Sequence, residues 1–183
     1  MTHALHTAGL IFASLVVFSG CVSAAPSPTE DIAVLSAILT NRCEYAASHA
    51  GKKYELLSAQ ALFVDHVTSS SKLDSSAMNS LLLRNKTAHD LPTLSLCPGY
   101  KSVPQVEIEA AMAKKGWPGF YKAFPNASGI SYLSLPGYSL DGNVAIVEFS
   151  GSCNLRCGSS FFWVMHKVEG KWTLYKVVPG WIS

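Results

Sequence analysis

The order of patterns along this chain predicts an α+β fold, with N-terminal helices packed on a C-terminal antiparallel β-meander of about four strands. Three observations carry that expectation. Apolar and aromatic residues recur at helical spacing in segments up to Phe124. From Ile130 onward the runs become short, β-branched and aromatic. Gly, Pro, Asn or Asp punctuates the boundaries of those later runs.

The first helix is read from Pro28-Thr29-Glu30-Asp31, which supplies a cap and first-turn acids, followed by Ile32, Leu35, Ile38 and Leu39 at helical spacing; its end is expected near Cys43. Tyr54 to Val64 reads as a strand. Thr68 to Ser71 is a polar loop, after which Ser75 or Ser76 caps a helix through Arg84. Leu91-Pro92 ends or kinks the next segment, and Pro98-Gly99 and Pro104 mark the centre of the chain as irregular. Glu107 to Lys115 is a short helix with acids in its first turn, lysines in its last and Gly116 at the position that can adopt positive φ. Trp117, Phe120, Tyr121 and Phe124 follow at i, i+3, i+4 and i+7, one helical face whose expected role is core packing.

Four strands are then expected: Ile130 to Leu135, Val144 to Ser150, Ser160 to Val168 and Lys171 to Val178. Glu169-Gly170 suits a two-residue hairpin turn. Its register would oppose Lys167 to Trp172, Met165 to Leu174 and Trp163 to Lys176 on one face. On the other face it would oppose His166 to Thr173, Val164 to Tyr175 and Phe162 to Val177. Neither face is wholly polar, so the sheet is expected to carry helices on one side and to be partly covered, or used for contact, on the other.

Residues 1–24 read as an export signal preceding a single domain over 25–183. The apolar run Leu10 to Phe18 is too short for a membrane helix, which needs about 20 residues. Two processing readings stand side by side. Phe18-Ser19-Gly20-Cys21 looks like a bacterial lipobox, which would lipidate Cys21 and tether the protein to a membrane. Val22-Ser23-Ala24 looks like a signal-peptidase site that would release a soluble chain.

Beyond Cys21 remain Cys43, Cys97, Cys153 and Cys157, an even number in a chain expected in an oxidising compartment. Three pairings are possible. Cys153 with Cys157 is favoured because Ser150 to Ser159 sits between two strand-like runs. Cys43 with Cys97 would then staple the first helix to the middle of the chain, contributing about 2–4 kcal/mol. The C-x3-C spacing, even with His166, lacks the matching second pair of a structural zinc site, and it is one residue longer than the C-x-x-C redox motif. No metal or cofactor is expected.

At 183 residues with 49% hydrophobic and 14% charged residues, the chain is neither a disordered tail nor a coiled coil. A net charge of +2 with scattered Lys and Arg leaves no footprint for nucleic acid.

The stretch from Trp117 to Ile130 (WPGFYKAFPNASGI), the Cys153-x3-Cys157-Gly158 segment, Gly170-Lys171-Trp172 and the terminal Trp181-Ile182-Ser183 together resemble a group of uncharacterised bacterial exported proteins. The resemblance covers residues 75 to 183. It implies bacterial origin, export and one fold, and it lends no catalytic residues. Within it, Glu148 departs from the apolar or aromatic residue usual at that place.

No catalytic constellation emerges. His49, His66, His89 and His166 include the neighbours Asp65-His66 and His89-Asp90, but the chain has no G-x-S-x-G elbow, H-E-x-x-H motif or phosphate loop. Glu107 and Glu109 fall on different helix faces. The expectation is therefore a non-enzymatic envelope protein that binds or inhibits a protein partner through its sheet or the Cys153 to Cys157 loop. The alternatives are a small hydrolase using His166 or His66, and a small-ligand binder with a cleft between sheet and helices.

Overall fold

The computed structural model describes residues 26–49, 53–62, 64 and 72–183, with the backbone alone for 45–49. The export segment with Cys21, the loop Thr68 to Ser71 and His66 lie outside the described residues. Helix α1 (Pro28–His49) begins where Pro28 presets the first turn and Ser27 Oγ accepts from the Glu30 amide at 3.3 Å. It passes Cys43 and ends later than expected, because no Gly or Pro interrupts the sequence until Gly51.

The remaining elements are β1 (Tyr54–Ser58), α2 (Ser75–Arg84), β2 (Tyr100–Val103), α3 (Gln105–Met112), α4 (Trp117–Ala123), β3 (Ala127–Leu133), β4 (Gly137–Tyr138), β5 (Val144–Asn154), β6 (Cys157–Val168) and β7 (Lys171–Ile182). Helix α2 is capped by Asp74, one residue ahead of the expected serines: its Oδ1 accepts from the Ala77 amide at 2.8 Å and from Ser76 Oγ at 2.6 Å. Those bonds hold the Asp74 carboxyl below its ordinary pKa. Gly116 turns the chain from α3 into α4 at φ 58°.

The α+β class holds, but the expected architecture needs correcting. Seven strands form one mixed sheet in the order β2-β1-β3-β5-β6-β7, with β4 added on β5. Strand β1 lies parallel to both β2 and β3, and the rest of the sheet is antiparallel. The helices do not all precede the strands, since β1 and β2 are interleaved with them. The physical reason is burial. Leu56 and Leu57, consecutive in β1, enter clusters on opposite faces of the sheet, so the strand carries no polar alternation. Strand β2 forms where an irregular segment is expected: it occupies only the four residues between the breakers Pro98-Gly99 and Pro104.

Both faces carry helices, which goes further than the helices on one side and partial cover on the other that the sequence leads one to expect. Along β5, Ala145 and Val147 join the core under α1 while Ile146 between them joins the core under α2. Val34, Leu35, Ile38 and Leu39 of α1 are each at most 2% exposed against Leu57, Leu133, Trp163 and Met165. Full burial of such a side chain contributes about 1.5–3 kcal/mol. On the opposite face α2 covers Ile146, Phe162, Val164 and Val178, while α3 and α4 cover Leu56 and Ile130 with Ile108 and Phe120.

The β6–β7 hairpin turns through Glu169 (φ 50°) and Gly170 (φ 78°), the positive-φ pair of a type I′ turn. The expected register holds for Lys167–Trp172, His166–Thr173 and Met165–Leu174. A bulge between Val164 and Met165 then shifts it, so Val164 opposes Lys176, Trp163 opposes Val177 and Phe162 opposes Val178. The extra residue is Tyr175, whose ring stacks on His166 at 4.2 Å between centroids. The shift has a packing reason: it brings Val178 into the α2 core.

Candidate functional site

Strands β5 and β6 pair from Val144–His166 to Asn154–Cys157, so the segment between the cysteines is narrower than the loop expected from sequence. A register shift between Ser152 and Asn154 leaves Cys153 out of the ladder. Cys153 is bonded to Cys157, four positions away, with 5.2 Å between their Cα atoms. The Cys153 carbonyl accepts instead from the Tyr121 hydroxyl of α4 at 2.7 Å. Asn154 Oδ1 accepts from the Arg156 amide at 2.8 Å, and the Ser183 amide donates to the Gly158 carbonyl at 2.9 Å. These bonds hold a hairpin tip on which Leu155 is 90% exposed. Trp181 and Ile182, also exposed, lie at the same end: Trp181 borders Gly158, and Ile182 opposes Ser159 across the β6–β7 pair.

Beneath the tip, on the α1 face of the sheet, is an open cleft of about 510 Å³. Its walls include Phe149, Phe161 and Trp163, and its floor includes Gly151. Arg42 of α1 and Glu55 of β1 stand at 3.5 Å from each other on its border. The Arg42 guanidinium lies over the Phe149 ring at 4.8 Å, and its Nε donates to the Tyr100 hydroxyl at 3.1 Å. Burial, aided by Glu55 and opposed by Arg42, pushes the Tyr100 hydroxyl up to about 12. Ser131 Oγ and Trp163 Nε1 are buried with no hydrogen-bond partner among the described residues. The Cys43–Cys97 disulfide, with 6.1 Å between Cα atoms, ties α1 to the segment before β2.

A second polar cluster sits at the other end of α1. Arg84 of α2 makes a bidentate pair with Asp31, donates to the Pro136 carbonyl at 2.5 Å, and lies beside Tyr138, whose hydroxyl donates to Asp31 Oδ1 at 2.9 Å. Burial raises the Tyr138 pKa, and the Asp31 charge raises it further. Burial opposes the Arg84 charge, but the Asp31 carboxylate more than restores it, leaving that pKa above its ordinary value. Nearby, Glu30 Oε1 accepts from Lys167 Nζ at 2.6 Å and Trp172 Nε1 at 2.8 Å. Every described member of this cluster is already engaged by another, which is the signature of a structural clamp.

Among the described residues, which do not include His66, the hydrolase reading gains no assembly of side chains. His166 stacks on Tyr175, and His89 Nε2 meets Thr87 Oγ1 at 2.9 Å on the surface. Neither histidine borders the cleft. Among the described residues no three His, Cys, Asp or Glu side chains converge as a metal site, and no helix is long and apolar enough to cross a membrane. The aromatic set of α4 divides its labour: Phe120 is fully buried, while Tyr121 braces the tip. Sequence reasoning identified the cysteines and the hairpin but missed Arg42, Glu55, Gly151 and the Asp31–Arg84 pair. The local signal for Gly151 was a glycine inside a strand, between Ser150 and Ser152.

No protein-family model, curated protein or solved structure matches this chain.

Proposed function

We propose that this is an exported bacterial envelope protein, non-enzymatic, that binds or inhibits a protein partner through the Cys153–Cys157 hairpin tip. The observation that carries this reading is Leu155, 90% exposed at the end of a disulfide-closed turn. A large apolar side chain held out in solvent by a covalent bridge, a tyrosine brace and an Asx turn has little conformational entropy left to lose on docking. Trp181 and Ile182 extend the apolar contact area at the same end. Two disulfides in the described chain suit the oxidising compartment to which the N-terminal segment would deliver it.

The placement also suits a tether. Glu30, near the start of α1, contacts Lys167 at the far end of β6 from Cys157. Twelve residues of strand separate these ends by roughly 35 Å. A chain lipidated at Cys21 would hold α1's start toward the membrane and present the tip away from it.

The test uses a photo-crosslinking residue at position 155 in the full-length protein, expressed in a native envelope. A stoichiometric adduct mapped to position 155, lost in Arg156→Glu with the thermal midpoint unchanged, is expected. In parallel, Leu155→Asp should abolish co-elution of that partner. A partner retained by both variants, or no adduct at position 155, overturns the reading. Unreduced intact mass spectrometry of the same material reads the state of Cys21.

A further inference from the structure

The cleft runs from the tip, where Cys153, Cys157, Gly158 and Ile182 border it but Leu155 does not, down to Gly151, and at that deep end it contains a space that the fold does not need. Gly151 has an ordinary strand conformation, and a Cβ placed on it would come no closer than 3.6 Å to any neighbour, the nearest being Glu55 Oε1. Glycine inside a strand weakens it and, where neither backbone nor packing requires one, marks a place where something else approaches the sheet. Opposite Gly151 in the β3–β5 pair stands Ser131, whose Oγ would lie 3.8 Å from that Cβ. Ser131 Oγ, close to that Cβ position, and the indole N–H of Trp163, a residue that borders the cleft, are two buried polar groups without a hydrogen-bond partner among the described residues.

The chemistry around the volume selects the ligand. Arg42 and Glu55 stand 3.5 Å apart and offset each other's charge. An anion placed there would face the carboxylate, and a cation would face the guanidinium. A neutral hydroxyl suits both, accepting from one and donating to the other. The remaining walls mix the aromatic Phe161 with Ser128, Ser152 and Ser159, and the cleft is open to solvent on one side. A compact ring with an aliphatic C–H face and hydroxyls at its edge matches that mixture. We propose that this cleft binds a neutral sugar, one or two rings of a saccharide, seated over Gly151 between Phe161 and the Arg42–Glu55 pair.

The experiment titrates the full-length protein with cellobiose and with the β-1,4 disaccharide of N-acetylglucosamine, following backbone and indole N–H signals by NMR. The Trp163 indole signal is identified through Trp163→Phe. The expected result is a saturable shift at the Trp163 indole and Gly151 amide with at least one sugar, while the Trp172 indole, bonded to Glu30, stays in place. Gly151→Leu, which fills the space, should weaken binding at least about tenfold without lowering the thermal midpoint. Glu55→Ala, a second variant that leaves the floor intact, should weaken it similarly. Leu155→Asp should bind sugar as the wild type does, which separates this site from the tip. Absence of a saturable shift with both sugars, or undiminished binding by Gly151→Leu and Glu55→Ala, overturns the proposal.

Discussion

Arg84 and Asp31, 53 positions apart in sequence, form a two-bonded pair: Nη1 donates to Oδ1 at 2.9 Å and Nη2 to Oδ2 at 2.7 Å. With the Tyr138 hydroxyl as a third donor, the pair locks the start of α1 to α2 and β4. The Asp31 side chain is 9% exposed, so removing the cation leaves a carboxylate with too little water. Arg84→Met is expected to lower stability by about 3 kcal/mol in urea unfolding, and Arg84→Lys by less, since an ammonium cannot reproduce the planar fork. A loss under about 0.5 kcal/mol for Arg84→Met would mean that the carboxylate escapes to solvent.

Glu30 makes the same end of the protein sensitive to acid. The hydrogen bond from Lys167 holds its carboxyl below the ordinary value of 4.5; burial opposes this, and Trp172 adds to it. A carboxyl whose pKa falls on folding contributes stability that is full above its unfolded value and lost as pH falls through the folded one. The unfolding midpoints of wild type and Glu30→Gln should differ by a constant amount above the ordinary carboxyl range and converge as the pH falls below it. Parallel curves over the whole range would contradict this.

At the alkaline limb the sign reverses. Burial first, and Glu55 second, raise Tyr100 to about 12, and burial with Asp31 raises Tyr138. A phenol whose pKa rises on folding stabilises the fold below its unfolded value of 10.0, and that stability is lost as pH climbs toward the folded value. Tyr100 and Tyr138 should form tyrosinate only with unfolding in ultraviolet difference titration, and burial delays Tyr121 and Tyr132 as well. Tyr100→Phe should remove one late-titrating phenol; ionisation of Tyr100 alongside the exposed tyrosines in the intact fold would refute the burial argument.

The β6–β7 turn places a glutamate at φ 50° before Gly170 at φ 78°. Glu169→Asn is expected to stabilise by about 0.5 kcal/mol, and Gly170→Ala to destabilise by about 1 kcal/mol, both with an unchanged denaturant m-value. Destabilisation by Glu169→Asn together with no loss from Gly170→Ala would rule out the type I′ assignment.

The two disulfides should separate stability from binding. Cys43→Ala with Cys97→Ala opens a cross-link spanning 54 positions and is expected to cost about 4 kcal/mol on the loop-entropy estimate. Cys153→Ala with Cys157→Ala opens a span of only 4 and should cost about 2 kcal/mol. The second variant, although the more stable, should lose more of the partner capture assigned to the tip, as measured by co-elution. Equal capture by both would remove the bridge from the binding argument.

Much of the framework was legible because its signals are local. Pro28 with Glu30 and Asp31 marks the start of α1, Glu169-Gly170 carries the turn chemistry that the hairpin uses, and two strand-like runs around SGSCNLRCGS frame the bridged tip. The parallel pairing was not legible. Tyr54–Ser58 is readable as a strand, but with Leu56 and Leu57 consecutive it shows no alternation, and only its neighbours on both sides and both faces make it an interior strand of a mixed sheet. The bulge at Tyr175 was equally hidden, since it answers the demand of the α2 core for Val178 and nothing in the hairpin itself.

The candidate sites divide along the same line. Sequence alone determined where the cysteines fall, which segments favour helix or strand, and that no nucleic-acid or familiar catalytic motif is present, because these depend on spacing, propensity and charge within a few residues. Tertiary structure alone decided that Arg42 meets Glu55, that Arg84 meets Asp31, and that Gly151 faces an unfilled volume beside Trp163. Those relationships arise from long-range packing of two helix layers on a mixed sheet. Sequence spacing carries no record of which distant side chains such packing brings within a few ångströms.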